Sequence, residues 1–84
     1  MSAKITASLE EIARLAKASA EPAKVEEAIK TARAVLQGLK GTEELDKELS
    51  IWQSKLPVIL KEPAGRQGMV KHVHYWMERL KNAG

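Results

Sequence analysis

The sequence contains no cysteine and no phenylalanine, and its 84 residues include only three prolines and five glycines. Without cysteine there is no disulfide, no thiolate nucleophile and no zinc–thiolate site, a composition that suits a reducing compartment. Aromatic residues are confined to Trp52, Tyr75 and Trp76, so the core must be largely aliphatic and, in the first half, rich in alanine. No apolar run approaches the ~20 residues of a membrane span, and Met1-Ser2-Ala3-Lys4-Ile5-Thr6 lacks the apolar core of a signal peptide. These absences predict a cytoplasmic chain with no membrane role. Neither charge sign dominates: the formal charge is +3, which allows anionic partners without pointing to them. Length sets the last bound. A chain of this size forms one domain, residues 1–84, and buries only ~60% of the surface its unfolded form exposes, so its core is thin and association is favoured.

What is present is helical periodicity. Ile5, Leu9, Ile12, Leu15 and Ala16 share one face of a first helix, for which Ser8-Leu9-Glu10-Glu11 has the capping-box form, unless the helix starts a turn earlier after Ser2. Pro22 suits the first turn of a second helix, and Val25, Ala28, Ala32, Val35 and Leu39 then repeat at spacings of three and four, with Ile29 and Leu36 alongside. Gly41 is placed to end that helix. Thr42-Glu43-Glu44 caps a third, whose stripe is Leu45, Leu49, Trp52, Leu56 and Ile59, and Pro57 should kink or break it. Ile51 and Val58 lie off this stripe. In the fourth, Met69, Val70, Val73, Trp76, Met77 and Leu80 fall within an arc of roughly 120°, the width of a core-facing stripe.

Helices over 4–19, 22–40, 43–61 and 64–82, joined by short turns, predict an all-α, four-helix antiparallel bundle. The halves echo each other. Shifting by 41 residues lays Glu21-Pro22-Ala23 on Glu62-Pro63-Ala64, Ile29-Lys30 on Val70-Lys71, Ala32 on Val73 and Leu39-Lys40 on Leu80-Lys81. A shift of 40 lays Ile5, Leu9, Ile12 and Ala16 on Leu45, Leu49, Trp52 and Leu56. Two copies of a ~41-residue helical hairpin would produce this pattern.

Leu9-Glu10-Glu11-Ile12-Ala13-Arg14-Leu15-Ala16 resembles the first helix of the helix-turn-helix DNA-binding family, which would imply a basic recognition helix after a tight turn. The resemblance ends at Lys17, where that family usually places glycine. Glu21-Pro22 and then Glu26-Glu27 follow instead.

No residue pattern supplies a reaction. His72 and His74 are two apart, so on a helix they point away from each other and cannot share a metal ion. Glu48 and Lys55 fall inside the third apolar arc, either with packed stems and solvated heads or as a buried carboxylate in search of a partner. No second carboxylate, serine–histidine pair, phosphate-cradling glycine loop or metal motif accompanies them, so we expect no enzyme, metal, cofactor or small-molecule substrate. Trp52 and Trp76 lie on core stripes. The second stripe of the last helix, Gly68, His72, Tyr75 and Arg79, joins a small residue to aromatic and cationic side chains, the composition of protein interfaces. It is the candidate partner-binding site, for a protein partner or a second copy of the chain. The alanine-rich second helix offers another contact surface. The alternative is a basic helical protein that binds nucleic acid or another polyanion.

Overall fold

The computed structural model describes residues 3–18 and 21–83, and among these it contains four helices and no strand: α1 (Ala3–Lys17), α2 (Pro22–Leu36), α3 (Glu43–Lys61) and α4 (Pro63–Ala83). Each helix packs on two others, α1 and α3 both lying between α2 and α4. Side chains that meet across α3 and α4 pair Glu44 with Arg79 and Trp52 with His72, so the two run in opposite directions. The fold is the expected antiparallel bundle. Among the described residues no helix is long and apolar enough to cross a membrane.

The core is the sum of four stripes. Ile5, Leu9, Ile12, Ala13 and Ala16 of α1 meet Val25, Ile29, Ala32 and Leu36 of α2, Leu45, Leu49, Trp52, Leu56 and Leu60 of α3, and Met69, Val73, Trp76 and Leu80 of α4. Spacings of three and four keep each set on one face, and each large side chain so buried contributes roughly 1.5–3 kcal/mol. Within α2 the stripe is rotated from the expected one. Ile29 and Leu36 are in the core, whereas Ala28 and Val35 are half-buried and Leu39 is exposed.

Helix α1 takes the earlier of its two expected starts, whereas the end of α2, the cap of α3 and the course of α3 at Pro57 differ from expectation, each with a local cause. Helix α1 is already formed at Ala3, so Ser8 lies inside it and Glu11 bonds forward to Arg14 (2.6 and 2.8 Å) instead of back to a cap; Ser2 lies outside the described residues. Helix α2 stops at Leu36, one turn short of Lys40, because Gly38 takes the left-handed conformation (φ +79°). Gly41 is also left-handed (φ +83°) but serves the turn into α3. Thr42 precedes α3, yet its buried hydroxyl donates to the Leu39 carbonyl (2.8 Å) and makes no bond to the first-turn amides. Helix α3 neither breaks nor restarts at Pro57, whose ring is exposed and clear of the core.

Glu62 alone separates α3 from α4. The proline after it holds it extended (φ −115°, ψ 144°), and the chain reverses at once. So short a link forces close approach. A Cβ on Gly65 would overlap the Ile59 carbonyl oxygen and come within 2.9 Å of the carbonyl carbon, so only glycine fits. Arg66, one residue on, donates to the carbonyls of Leu60 (3.2 Å) and Ala16 (3.1 Å), tying the ends of α3 and α1 to the start of α4.

The repeat is closer between the odd-numbered helices. Ile5, Leu9, Ile12 and Ala16 and their counterparts Leu45, Leu49, Trp52 and Leu56 are all buried. For the even helices the shared Glu-Pro-Ala start gives an offset at which only Ala32 and Val73 are buried together; the buried sets Val25, Ile29, Ala32, Leu36 and Met69, Val73, Trp76, Leu80 stand 44 apart.

Candidate functional site

On α4, the steps His72, Tyr75 and Arg79 keep one flank beside α3, and α3 answers with Glu44 and Glu48, one turn apart. His72 Nδ1 lies 2.6 Å from Glu48 Oε1, and the buried Trp76 donates its indole N–H to Glu48 Oε2 at 3.0 Å. One half-buried carboxylate thus engages a rim histidine and a core tryptophan. Accepting on both oxygens requires the proton on His72 Nδ1 whenever Glu48 is ionised, which leaves Nε2 for solvent or a partner. Glu48 is therefore neither stranded in the core nor merely snorkelling, while Lys55 is exposed.

One turn further along, Arg79 Nη2 donates to Glu44 (3.2 Å), Nη1 donates to the Tyr75 hydroxyl (3.4 Å), and the guanidinium carbon stands 4.8 Å from the centroid of the Trp76 ring. The hydrogen bond and opposite charge of Glu44 hold the Arg79 proton more tightly than usual, with a smaller contribution from Tyr75. The rings form a chain: Trp52 meets His72 edge-on at 6.2 Å, His72 is tilted to Tyr75 at 6.4 Å, and Tyr75 meets Trp76 edge-on at 5.6 Å. Both tryptophans are core residues, 8% and 5% exposed, so this network is anchored in the packed interior.

The structure brings three of the four stripe residues together and separates the fourth. Gly68 faces open space: a Cβ there would meet nothing within 4 Å, so within this chain the close approach belongs to Gly65. Of the acidic half of the network on α3, the sequence singles out Glu48 as a carboxylate in search of a partner but not its pairing with His72 and Trp76, nor Glu44 as the mate of Arg79. The signal for these pairings was present, because Glu44, Glu48 and Trp52 repeat every four residues at the distance from the turn that an antiparallel partner needs to face Arg79, Trp76 and His72. Among the described residues no Ser or Thr hydroxyl bonds to His72, and no group of three His, Asp or Glu residues could hold a metal. The arrangement orients rings and holds both carboxylates in hydrogen bonds.

What it leaves outward is apolar. Tyr75 is 55% exposed, and Ile51 and Val58, about one and three turns along α3 from Glu48, are 46% and 74% exposed. The outer face of α2, in contrast, alternates Lys24, Glu27, Lys30 and Thr31 with its alanines and exposes no large apolar side chain. Comparison with known protein families, characterised proteins and solved structures gives no match, so function is argued from this geometry alone.

Proposed function

We propose that this chain is a small helical protein-interaction module, without catalytic activity, that joins a protein partner or a second copy of itself through the edge formed by α3 and α4. One observation carries the reading: Ile51, one turn from Glu48, and Tyr75, bonded to Arg79, are exposed beside carboxylates already hydrogen-bonded within the chain, and Val58 extends the exposed apolar surface along α3. A partner that covers these side chains removes apolar surface from water without first stripping bare charges of their hydration, which is the larger cost of association. Tyr75 and Arg79 are the anchors, being the residue types that dominate interface energetics. Pre-ordering by the rings and by Glu44 lowers the entropy lost on binding.

Polyanion binding draws less support. All four arginines are hydrogen-bonded inside the chain, Arg14 to Glu11, Arg33 to Asp46, Arg66 to two carbonyls and Arg79 to Glu44, so the forked groups best suited to phosphate are committed. Sedimentation equilibrium at micromolar concentration, together with pull-down from extract, tests the proposal. Association should weaken in Tyr75→Ala and in Arg79→Ala with the fold intact. Unchanged association in both variants would refute the edge as the contact surface.

A further inference from the structure

Among the described residues, grooves of similar size run between the helices, and three of them differ in charge. The groove between α1 and α2 sets Glu11 and Glu27 against Arg14 and Lys24. The one at the α2–α3 link sets Glu43 and Asp46 against Arg33 and Lys40. Both balance. A shallower depression at Lys30 and Arg33 lies beside Asp46, which Arg33 already holds. The third groove, about 420 Å³, lies between the last turn of α1 and the first turns of α4. It gathers Lys17, Arg66 and Lys71 around Ala16, Pro63 and Val70, with no carboxylate. The whole chain has a formal excess of +3, so this one groove concentrates as much positive charge as the molecule carries net.

Arg66 is fixed there by its bonds to Leu60 and Ala16, and its charge offsets the negative carbonyl ends of α3 and α1 that would otherwise face the groove. Lys17 and Lys71 are exposed and make no ion pair among the described residues. The floor beneath them is apolar and half open at Val70.

We propose that this groove is a second binding site, for an acidic protein segment in which one bulky apolar side chain is flanked by carboxylates. The apolar floor receives the side chain, and Lys17 and Lys71, on opposite walls, take the carboxylates. The α4 wall runs from Pro63 to Lys71, which at 1.5 Å per residue is roughly 12 Å. That length fits three or four extended residues at ~3.3 Å each. It is a short track for nucleic acid, whose affinity grows with the number of phosphates neutralised and gains nothing from an apolar floor. Val70 lines the α1 side of α4 and His72 the α3 side, so this site and the Tyr75 edge can be filled together.

The test is an amide chemical-shift titration of the intact chain with four probes. These are a blocked peptide with leucine between glutamates, its glutamine counterpart, its serine-for-leucine counterpart, and a short single-stranded oligonucleotide. The acidic peptide should shift Lys17, Val70 and Lys71 and leave Tyr75 and Arg79 in place. The serine peptide, which loses the apolar anchor, should bind about tenfold more weakly or worse, and the glutamine peptide, which loses its exposed ion pairs, about threefold to tenfold more weakly. The double variant Lys17→Glu, Lys71→Glu, both positions exposed, should abolish the shifts while the spectrum stays dispersed. Equal binding of the glutamine peptide, shifts with the oligonucleotide alone, shifts centred on Tyr75, or none at millimolar peptide would each overturn the proposal. None of these readouts depends on the fate of the α3/α4 edge.

Discussion

Alanine placed at Gly65 and at Gly68 should move stability in opposite directions, although both glycines lie within α4. At Gly65 the new Cβ overlaps the Ile59 carbonyl, a main-chain group that cannot swing aside. The α3–α4 turn must then open, and forcing backbone apart in this way costs about 1–3 kcal/mol. Because the obstacle is backbone the cost lies in the upper half of that range, about 2–3 kcal/mol; replacing a helical glycine returns only about 0.5–1 kcal/mol, so the net loss is about 1–2.5 kcal/mol. At Gly68 nothing lies within 4 Å, so only the gain of about 0.5–1 kcal/mol operates. A domain of this length has a total of about 4–13 kcal/mol, so neither change abolishes folding outright. Melting temperature should fall by about 4–20 °C in Gly65→Ala and rise by about 2–8 °C in Gly68→Ala. Urea melts followed by the fluorescence of the buried tryptophans give the same comparison at constant temperature, with midpoints moving and slopes unchanged. A neutral or stabilising Gly65→Ala, or a destabilising Gly68→Ala, would refute the packing argument. Gly68 also belongs to the candidate contact stripe. If a partner's backbone approaches there, the variant that strengthens the fold should weaken association.

Trp52→Ala and Trp76→Ala should each cost roughly 3–5 kcal/mol by denaturant melt, and Trp76→Phe less, since it keeps most of the ring and gives up chiefly the bond to Glu48. Tyr75→Ala should leave the urea midpoint nearly unmoved and weaken association by more than about 1 kcal/mol, read by sedimentation equilibrium. The Glu11 carboxyl, bonded to Arg14, should titrate below the usual glutamate range by carbon NMR and return toward it in Arg14→Ala. Because its folded value is depressed, the stabilisation from this pair is present above the ordinary glutamate value and is lost as pH falls through the lowered one. Acid melts of Arg14→Ala and the parent chain should therefore converge at low pH.

Apolar spacing was legible in the sequence wherever a stripe had one reading. Helices α3 and α4 each present one main row of large residues, and Trp52, Trp76, Val73 and Leu80 are buried where that row placed them; only at its end does α3 depart, burying Leu60 and leaving the expected Ile59 half-buried. Helix α2 offered two rows, one through Ala28 and Val35 and one through Ile29 and Leu36, and spacing alone could not choose between them. Size could have: the larger isoleucine and leucine take the core, leaving alanine and valine at its margin. Helix ends were less legible because several residues competed for each role. Gly38 and Gly41 are both left-handed, and the first one reached ends the helix. The α4 stripe was readable as a flank but not as half of a network, because its partners Glu44 and Glu48 lie on another helix and register between helices is set by turn length.

That register traces to a single extra turn. In α2 the first core residue, Val25, comes three residues after Pro22; in α4 the first, Met69, comes six after Pro63, although both helices open with the same Glu-Pro-Ala. The added turn, Pro63 to Arg66, buries no side chain fully and projects past the core over the ends of α1 and α3. There its peptide can touch the Ile59 carbonyl only because residue 65 is glycine, and Arg66 can reach two helix ends at once. The overhang also leaves Ala16 and Val70 facing each other across a gap bordered by Lys17 and Lys71, which is the cationic groove. Had α4 begun in the register of α2, Arg66 would stand at a core position. The lengthening of one helix relative to its counterpart thus gives the second half of the bundle a groove at one end, while the α3/α4 edge comes from the rows that the two helices share.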